Sequence, residues 1–547
     1  PVLTVLSFLI LVVVVVIPMV MIVYNTFFYE GKFDTSLFTQ IILDPGNVAA
    51  MWNTIKIALL VTLFGTIIGL FFAWLLGRSD IPLKGLMRSM FTIPYMFPPF
   101  FGAMAWELLL SPRSGYLNKW LMATFGLSKA PFNINSIGGI IFVECSYYFP
   151  FVFMQVVSAL ERMDPTLEES ARIAGAKQWY VIRRITMPLV LPATSAGALL
   201  ILTSSLSHFG VPSILGFSKK IYTLPTRIYQ LISRASGSFR EGAALSILLV
   251  IVVMLALWLQ KIVLRSGSYD IIKGKSMRPM LIKLRGAKIP LLVISLLSLV
   301  VIVVVPLVMI ILVGLLRAYG LPLKLENFTF DNYINLFKSK MVKDSVVNSL
   351  TLSVSAGLIA MFLGVMIAYV IQKIRPKGKT VLEIISILPY SIPGIVLAIG
   401  VILSWSGAFG INLYNTLWII LIAYIARYLA FSMKSASASL QQVHYSLEDA
   451  ARTCGATHFE SLTDVTLPLI RPAMISGFFL IFLPAMRELT TSVLLYGPYT
   501  RTLGVAIYSL RSDGYIVDSS ALASLAIVLI IICNTVVNAI LKDRKKV

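Results

Sequence analysis

The sequence has little charge and almost no cysteine or histidine. Only 13% of its 547 residues are charged, against roughly a quarter in an ordinary soluble domain, and 58% are hydrophobic. A chain this apolar is not disordered, and a single soluble core does not grow to this size. The three cysteines, none in a CxxC pair, exclude a disulfide framework and a zinc site. The class of protein that remains is a polytopic membrane protein.

Long apolar runs are what the chain does have. In lipid such runs must form helices, because no water is present to bond the backbone, and about 20 residues are enough to cross the bilayer. Apolar runs lie near residues 3–24, 54–77, 89–110, 136–160, 187–206, 242–260, 289–316, 349–372, 380–405, 414–433, 472–486 and 520–541. We therefore predict an all-α polytopic membrane protein with about twelve transmembrane helices.

The basic excess of the chain predicts its orientation. The sequence carries 46 Lys and Arg against 24 Asp and Glu, a net charge of +22. With the first span starting in the cytoplasm, the inside segments hold 27 of these basic residues and the outside segments hold 17. This distribution follows the positive-inside rule, and it makes both termini cytoplasmic. Most of the excess is thus an orientation signal, and we predict no nucleic-acid partner.

The two halves of the sequence are related to each other. A shift of 295 residues places Asn53, Gly69, Ala73, Pro94, Tyr95 and Pro98 on Asn348, Gly364, Ala368, Pro389, Tyr390 and Pro393. These matches predict a first repeat at residues 1–264, a basic cytoplasmic linker at 265–288 and a second repeat at 289–547. An even number of spans separates the copies, so the repeats are parallel, as in transporters with a path between two halves.

One cytoplasmic segment occurs in both halves at a shift of 280 residues. The copies are Glu169–Ala193 and Asp449–Ala473, and nine of their 25 positions are identical. Both copies follow the fourth predicted span of their half. A single copy is explained well enough as a capped surface helix, but two copies at matching positions favour a functional surface.

The residues around each copy predict a short helix at the membrane surface. Thr166-x-x-Glu169 and Ser446-x-x-Asp449 match a capping box, so we expect a helix to start at each. The glycine nine residues after each cap residue can adopt positive φ and end the helix. The proline that follows in each copy, Pro188 or Pro468, suits entry into the next span.

This acid-Ala-Ala-x3-Gly pattern followed by Leu-Pro resembles the signature loop of binding-protein-dependent ABC importer permeases. The resemblance implies the type I ABC importer permease fold, in which this loop is a coupling helix that docks on a cytoplasmic ATPase. The implied coupling residues are Glu169, Ser170, Ala171 and Gly175 in the first copy, and Asp449, Ala450, Ala451 and Gly455 in the second. Ser170 stands where the family usually has Ala, and Asp449 where it usually has Glu.

The same resemblance implies the partners and the location of the chain. Two copies of an ABC ATPase subunit would bind from the cytoplasm, and an extracytoplasmic binding protein would deliver the substrate. The chain itself would be a permease subunit, not an enzyme, in the inner membrane of a bacterium. The segments Ser207–Gly216 and Arg487–Leu510 are similar to fused permeases of the ferric-iron uptake group. Phosphonate, sugar-phosphate and thiamine permeases are near relatives and remain alternatives.

Two glycine-lysine pairs imitate the end of an ATP-binding P-loop. Gly274-Lys275-Ser276 and Gly378-Lys379-Thr380 lack the glycine that the loop needs five residues earlier, because Tyr269 and Lys373 stand there. Neither pair follows a strand. We therefore expect no cofactor on this chain, with ATP bound by the partner subunit. The three scattered histidines predict no metal site either, so tight metal capture would take place on another protein.

Five residues are candidates for a substrate path. His208 in the first half and Arg487 and Glu488 in the second lie near the outer ends of matching spans, where they would line an outer vestibule or form an interfacial ion pair. Tyr95 and Tyr390 adjoin prolines in helices that we expect to be broken mid-membrane. They would line a gate or pack against neighbouring helices.

A secondary transporter driven by an ion gradient is a competing hypothesis. It needs coupling carboxylates at mid-membrane, and Glu144 is the only acid deep in a predicted span. For Glu144, and for Arg427 in the second half, pairing between helices and contact with substrate are equally good interpretations. The hypothesis also leaves the duplicated cytoplasmic segment without a role. An enzyme acting on lipid is disfavoured, because no nucleophile–base or metal constellation is present.

Overall fold

The computed structural model describes residues 2–164, 166–234, 238–265 and 281–543. The described chain is helical apart from its loops, short bridges and one small antiparallel ribbon, formed by β1 (Phe28–Tyr29) and β2 (Lys32–Phe33). The predicted all-α class is therefore confirmed. Most of the predicted linker 265–288 falls on residues 266–280, which lie outside the described residues.

The helices of the first half are α1 (Val2–Phe27), α2 (Ser36–Leu43), α3 (Pro45–Arg78), α4 (Lys84–Met96), α5 (Pro99–Leu110), α6 (Tyr116–Phe125), α7 (Ile137–Arg162), α8 (Thr166–Ile173), α9 (Gln178–Leu206), α10 (Gly210–Gly216), α11 (Leu224–Ile232) and α12 (Phe239–Arg265). Those of the second half are α13 (Arg285–Gly314), α14 (Asp331–Lys338), α15 (Lys340–Ile374), α16 (Lys379–Ser391), α17 (Gly394–Trp405), α18 (Leu417–Leu440), α19 (Tyr445–Thr453), α20 (His458–Met486), α21 (Ser492–Leu495), α22 (Leu503–Ser512) and α23 (Ile516–Asp543). Single 3-10 turns follow α10 and precede α14.

Among the described residues, ten helices are long and apolar enough to cross a membrane, or eleven if one bent pair is counted as a span. The third predicted span of each half accounts for the difference from twelve. In the second half it is the pair α16 and α17, which meet at an angle of 111°. In the first half it is the pair α4 and α5, of which only α5 is strongly apolar. Each break falls just before or at a proline, Pro98 or Pro393, which has no N–H to continue a helix.

Prolines also widen several spans without breaking them. Turns with π-type hydrogen bonding occupy 12–16 in α1, 182–186 in α9, 300–304 in α13 and 461–466 in α20. In each case a proline lies two residues after the widened turn. Because proline cannot donate to the carbonyl four residues before it, a turn of different bonding absorbs the missing hydrogen bond. The helix thus continues, so the segment predicted to lead up to Pro188 is itself part of the span.

The chain divides into two compact units. The first unit comprises Pro45–Arg227 and Ile251–Val313, and the second comprises Pro1–Asp44, Ile228–Val250 and Gly314–Val547. Helices α3, α7 and α9 pack on one another in the first unit, and α15, α18 and α20 do so in the second. Helix α1 packs on α17 within the second unit, and α13 packs on α4 within the first. Each unit therefore combines most of one repeat with the first helix of the other, and residues 228–250 of the first repeat belong to the second unit.

Close helix packing explains two of the repeated glycines. A Cβ on Gly69 would lie 2.9 Å from the carbonyl oxygen of Phe149 on α7. A Cβ on Gly364 would lie 2.7 Å from the backbone nitrogen of Met433 on α18 and would also collide with Ser432. Small residues let helix backbones approach closely in membranes. The identity of these two positions therefore reflects the same helix contact in both units.

We expect the substitution Gly364→Val to destabilise the protein, because the side chain has no space between α15 and α18. Overpacking of a tight core costs about 1–3 kcal/mol, so the thermal midpoint of the detergent-solubilised protein should fall. Gly85→Ala is the matched control, since nothing lies within 4 Å of a Cβ at this helical glycine. Equal midpoints for the two variants would contradict the packing argument.

Candidate functional site

Each unit carries one short surface helix, α8 or α19, at the position of the duplicated segment. The two helices start where the sequence predicts, but the predicted cap residues are not the ones used. In the first copy, the Asp164 carboxylate accepts a hydrogen bond from the Thr166 N–H (2.9 Å). In the second, the His444 ring nitrogen accepts from the Ser446 N–H (3.3 Å). Each cap thus lies two residues before the predicted one.

The ends of α8 and α19 match the prediction. Gly175 has φ +86° and Gly455 has φ +97°, a region that favours glycine because it has no Cβ. The N–H of the glycine donates three residues back, at 2.9 Å and 3.0 Å in the two copies, and the next N–H donates to Ala171 or Ala451. This pair of bonds is a Schellman motif, which closes a helix while satisfying its last carbonyls.

The two helices are open to a partner. No residue of α8 or α19 is buried, and nothing lies within 4 Å of a Cβ placed on either terminal glycine. The apolar side chain of Ile173 is 88% exposed, and that of Phe459 just after the second helix is 72% exposed. Three of the predicted coupling residues are half-buried, namely Glu169, Ala171 and Ala451. The other five are exposed, namely Ser170, Gly175, Asp449, Ala450 and Gly455.

One side chain of α8 points into the protein. The Glu168 carboxylate accepts a hydrogen bond from the Thr186 hydroxyl of α9 (2.6 Å). The same carboxylate oxygen lies 3.6 Å from Nε of Arg78, the last residue of α3. Arg78 is 1% exposed, and none of its guanidinium nitrogens has a hydrogen-bond partner within the described residues. Glu168 therefore supplies the charge that compensates a buried cation.

The second unit repeats this arrangement. The Glu448 carboxylate of α19 accepts from the Thr466 hydroxyl of α20 (2.8 Å) and lies 3.3 Å from Nζ of Lys373 near the end of α15. Lys373 also donates to the Val443 carbonyl (3.0 Å), and its Nζ lies 4.3 Å from the centre of the Tyr445 ring. Glu168 and Glu448 have equal side-chain exposure, 14%. We call these two arrangements the glutamate anchors.

The sequence contains a signal for the anchors, directly before the duplicated segment that begins at Glu169 and Asp449. Thr186 and Thr466 are among the nine identical positions. Glu168 and Glu448 are also identical at the same shift, directly before the compared segment. The basic residues Arg78 and Lys373 align at the 295 shift. Sequence alone gave no reason to prefer these glutamates over their exposed neighbours.

A second pair of polar contacts lies at the other end of α9 and α20. In the first unit, buried Glu144 of α7 accepts from the Ser205 hydroxyl and lies 3.0 Å from Nδ1 of His208. In the second unit, Glu488 accepts from Tyr428 and lies 3.7 Å from Nε of Arg427 on α18. His208 and Glu488 correspond at the 280 shift. The acid and the base have thus exchanged places between the two units: the acid lies on α7 in the first unit and just after α20 in the second.

The tyrosines at the helix breaks also occupy equivalent positions. Tyr95 contacts Phe151 edge-on with ring centres 5.4 Å apart, and Tyr390 contacts Phe431 edge-on at 4.8 Å. Their side chains are 41% and 42% exposed. Arg487, the remaining candidate for the path, is half-buried at the end of α20. Four of the five candidates therefore form two equivalent pairs, His208 with Glu488 and Tyr95 with Tyr390, whereas Arg487 corresponds to Ser207.

Two related bundles of membrane-spanning helices, each with one exposed glycine-terminated surface helix, define a two-repeat polytopic membrane protein. The chain belongs to the family described as binding-protein-dependent transport system inner membrane component, which matches residues 65–266 and residues 345–543. It is thus a multi-pass inner-membrane protein with two copies of the permease domain. The predicted family and the predicted internal repeat are therefore confirmed.

Known proteins similar to this chain include transport permeases of several systems. The chain is 26% identical over 485 residues, 88% of this chain and 75% of the relative, to the putative ferric transport system permease protein FbpB 1 of Haemophilus influenzae. It is 32% identical over 195 residues, 36% of this chain and 73% of the relative, to the putative 2-aminoethylphosphonate transport system permease protein PhnV of Salmonella paratyphi A. A crystal structure of a bacterial ABC transporter that imports alginate aligns at 21% identity and a TM-score of 0.38, over 47% of this chain and 97% of that one.

The cap of α8 should depend on pH. The hydrogen bonds from the Thr166 N–H and hydroxyl hold the pKa of Asp164 below its ordinary value. A carboxyl whose pKa is lowered on folding contributes stability above its unfolded pKa and loses it as the pH falls through the folded pKa. We therefore expect Asp164→Ala to lower the amide-exchange protection of α8 at neutral pH and to have no effect well below about pH 4.

Asp34→Ala is the matched control for this experiment, because Asp34 accepts from the Ser36 N–H (2.8 Å) at the start of α2 in the same way. That variant should change the exchange of α2 and leave α8 unchanged. Equal protection of α8 in the wild type and in Asp164→Ala at neutral pH would show that the carboxylate does not cap the helix.

Proposed function

We propose that this chain is the membrane-spanning subunit of an ATP-driven importer. Two copies of a cytoplasmic ATPase subunit bind it, one at α8 and one at α19, and an extracytoplasmic binding protein delivers the substrate. ATP is bound and hydrolysed by the partner subunits. The observation that carries the proposal is the presence, in each of two repeats of an established permease family, of one exposed helix closed by a glycine of positive φ.

The coupling residues follow from this proposal. Glu169, Ser170 and Ala171, with Asp449, Ala450 and Ala451 in the second repeat, form the surface that the ATPase contacts. Gly175 and Gly455 set the bend after each helix. Closure of the ATPase dimer displaces both helices, and the two repeats then alternate between inward-open and outward-open states.

Orientation and repeat boundaries belong to the same proposal. Both termini are cytoplasmic, as the distribution of Lys and Arg supports. Residues 1–264 and 289–547 are the two permease repeats, and the basic segment 265–288 joins them on the cytoplasmic side. The family matches at 65–266 and 345–543 support this division. A secondary transporter is less well supported, because Glu144 is already bonded to Ser205 and His208.

The proposed substrate is ferric iron, free or as an anionic complex. Similarity to a ferric permease extends over 88% of the chain, which supports this choice. His208, Arg487, Glu488, Tyr95 and Tyr390 line the path, with the polar residues on the outer side and the tyrosines at the helix breaks. A phosphonate is the second candidate, since a phosphonate permease is 32% identical to part of the chain. A sugar phosphate or thiamine would use the same machinery.

Replacing both Gly175 and Gly455 by valine should abolish ATPase binding and transport, because valine at positive φ costs roughly 1–2 kcal/mol per site and displaces the turn. Copurification of the ATPase with the chain measures the effect. Gly126→Val is the matched control: Gly126 has φ +64° after α6, with nothing within 4 Å of a Cβ, and lies in a predicted outside loop. Undiminished ATPase binding by the double variant would falsify the docking proposal.

The substrate is tested by uptake into cells with the chain, without it, and with the double glycine variant. We expect radioactive ferric iron to accumulate only in cells that carry the wild-type chain, because the path and the coupling helices must both be intact. Labelled 2-aminoethylphosphonate is the comparison solute. Accumulation of the phosphonate, a sugar phosphate or thiamine without accumulation of iron would overturn the assignment of the substrate but not that of the importer.

A further inference from the structure

We infer that Glu168 and Glu448 are positioning residues that transmit the movement of the surface helices to the membrane-spanning bundles. The inference rests on the proposed function, since it presupposes that α8 and α19 are moved by an ATPase. It concerns residues that face away from the proposed docking surface. Its basis is the pair of glutamate anchors, in which a glutamate, a threonine and a basic residue at equivalent sequence positions meet in each of two separately packed units.

The anchors connect each surface helix to two spans at once. Glu168 bonds to Thr186 near the start of α9 and pairs with Arg78 at the end of α3. Along the polypeptide backbone, the only connection between α8 and α9 is the turn at Gly175. The contact with Arg78 adds a link to a helix of 34 residues, which packs along both α7 and α9. A displacement of α8 is therefore transmitted through α3 to the centre of its helix bundle.

The buried cations make this link stiff. Arg78 and Lys373 are 1% and 4% exposed at their side chains, and a buried charge that loses its only compensating partner is strongly unfavourable. Tilting α8 away from α3 would separate Glu168 from Arg78 and leave the guanidinium uncompensated. The helix and the span end therefore move together. A surface glutamate in the first turn of a short helix would not impose such a constraint.

The two anchors differ in how much they depend on the glutamate. In the second unit, Lys373 keeps the Val443 carbonyl and the Tyr445 ring as partners when Glu448 is changed. Tyr445 belongs to α19 itself, and its hydroxyl donates to the Gln372 carbonyl of α15 (2.7 Å). The second surface helix thus retains a connection to its span. We expect the first anchor to be the more sensitive of the two.

The test uses the chain assembled with its ATPase and binding protein in vesicles, with Glu168→Gln, Glu448→Gln and the double variant. Three quantities are measured: ATPase copurification, the rate of ATP hydrolysis, and substrate transported per ATP. We expect copurification to stay within about twofold, because the docking surface is unchanged. Transport per ATP should fall by roughly fivefold or more, and further for Glu168→Gln than for Glu448→Gln.

Glu161→Gln is the matched control, because it breaks an exposed ion pair with Arg88 on the same predicted side of the membrane. It should change none of the three quantities. If Glu168→Gln does not fold, Thr186→Val tests the same anchor. This variant removes the hydrogen bond to Glu168 and keeps the ion pair between Glu168 and Arg78. It should lower transport per ATP to a smaller extent.

Two results would overturn the inference. Normal transport per ATP in the double variant would show that the anchors transmit nothing. Loss of ATPase copurification in proportion to transport would show that they only maintain the docking surface. Failure of the proposed function gives a different result, namely undiminished ATPase binding when Gly175 and Gly455 are replaced by valine.

Discussion

Every backbone N–H and C=O in apolar surroundings needs a partner within the protein, and this requirement governs most of the structure. It makes the long apolar runs helical, and it decides what happens at each proline. Where a span must continue, as before Pro188 and Pro468, a widened turn absorbs the missing hydrogen bond. Where the chain must bend, as at Pro98 and Pro393, the helix ends and a second one begins. Proline thus lies next to the widened turns of continuous helices and also at the helix breaks.

The same requirement applies to charged side chains and explains how the two units resemble each other. A buried charge needs a partner, but the partner need not come from the same helix in both copies. Around the surface helices α8 and α19, glutamate, threonine and a cation occupy the same positions in both units. At the other end of α9 and α20, the acid and the base have exchanged places, with Glu144 and His208 in one unit and Arg427 and Glu488 in the other. The pairing of an acid with a base at this place is therefore repeated in both units, although the residues that form the pair differ.

Much of the proposed docking surface was predictable because its signals are local. The glycines that end α8 and α19 are identifiable from one residue type at one distance from a helix start, and both adopt positive φ. The cap residues were predicted two positions late, because Asp164 and His444 lie outside the capping-box pattern. The inward direction of Glu168 was not predictable, since two adjacent glutamates in a first turn look equivalent until the position of Arg78 is known.

The sequence by itself determined the helical class, the duplication, the family and the two surface helices, because apolar length, residue spacing and turn chemistry act over short stretches of chain. Only the tertiary structure decided which glutamate of α8 faces inward, that Glu144 bonds to His208 and Arg427 to Glu488, and that α1 packs on α17. These contacts join residues that are tens to hundreds of positions apart. Their energies depend on burial and on distance in space, which no local pattern records.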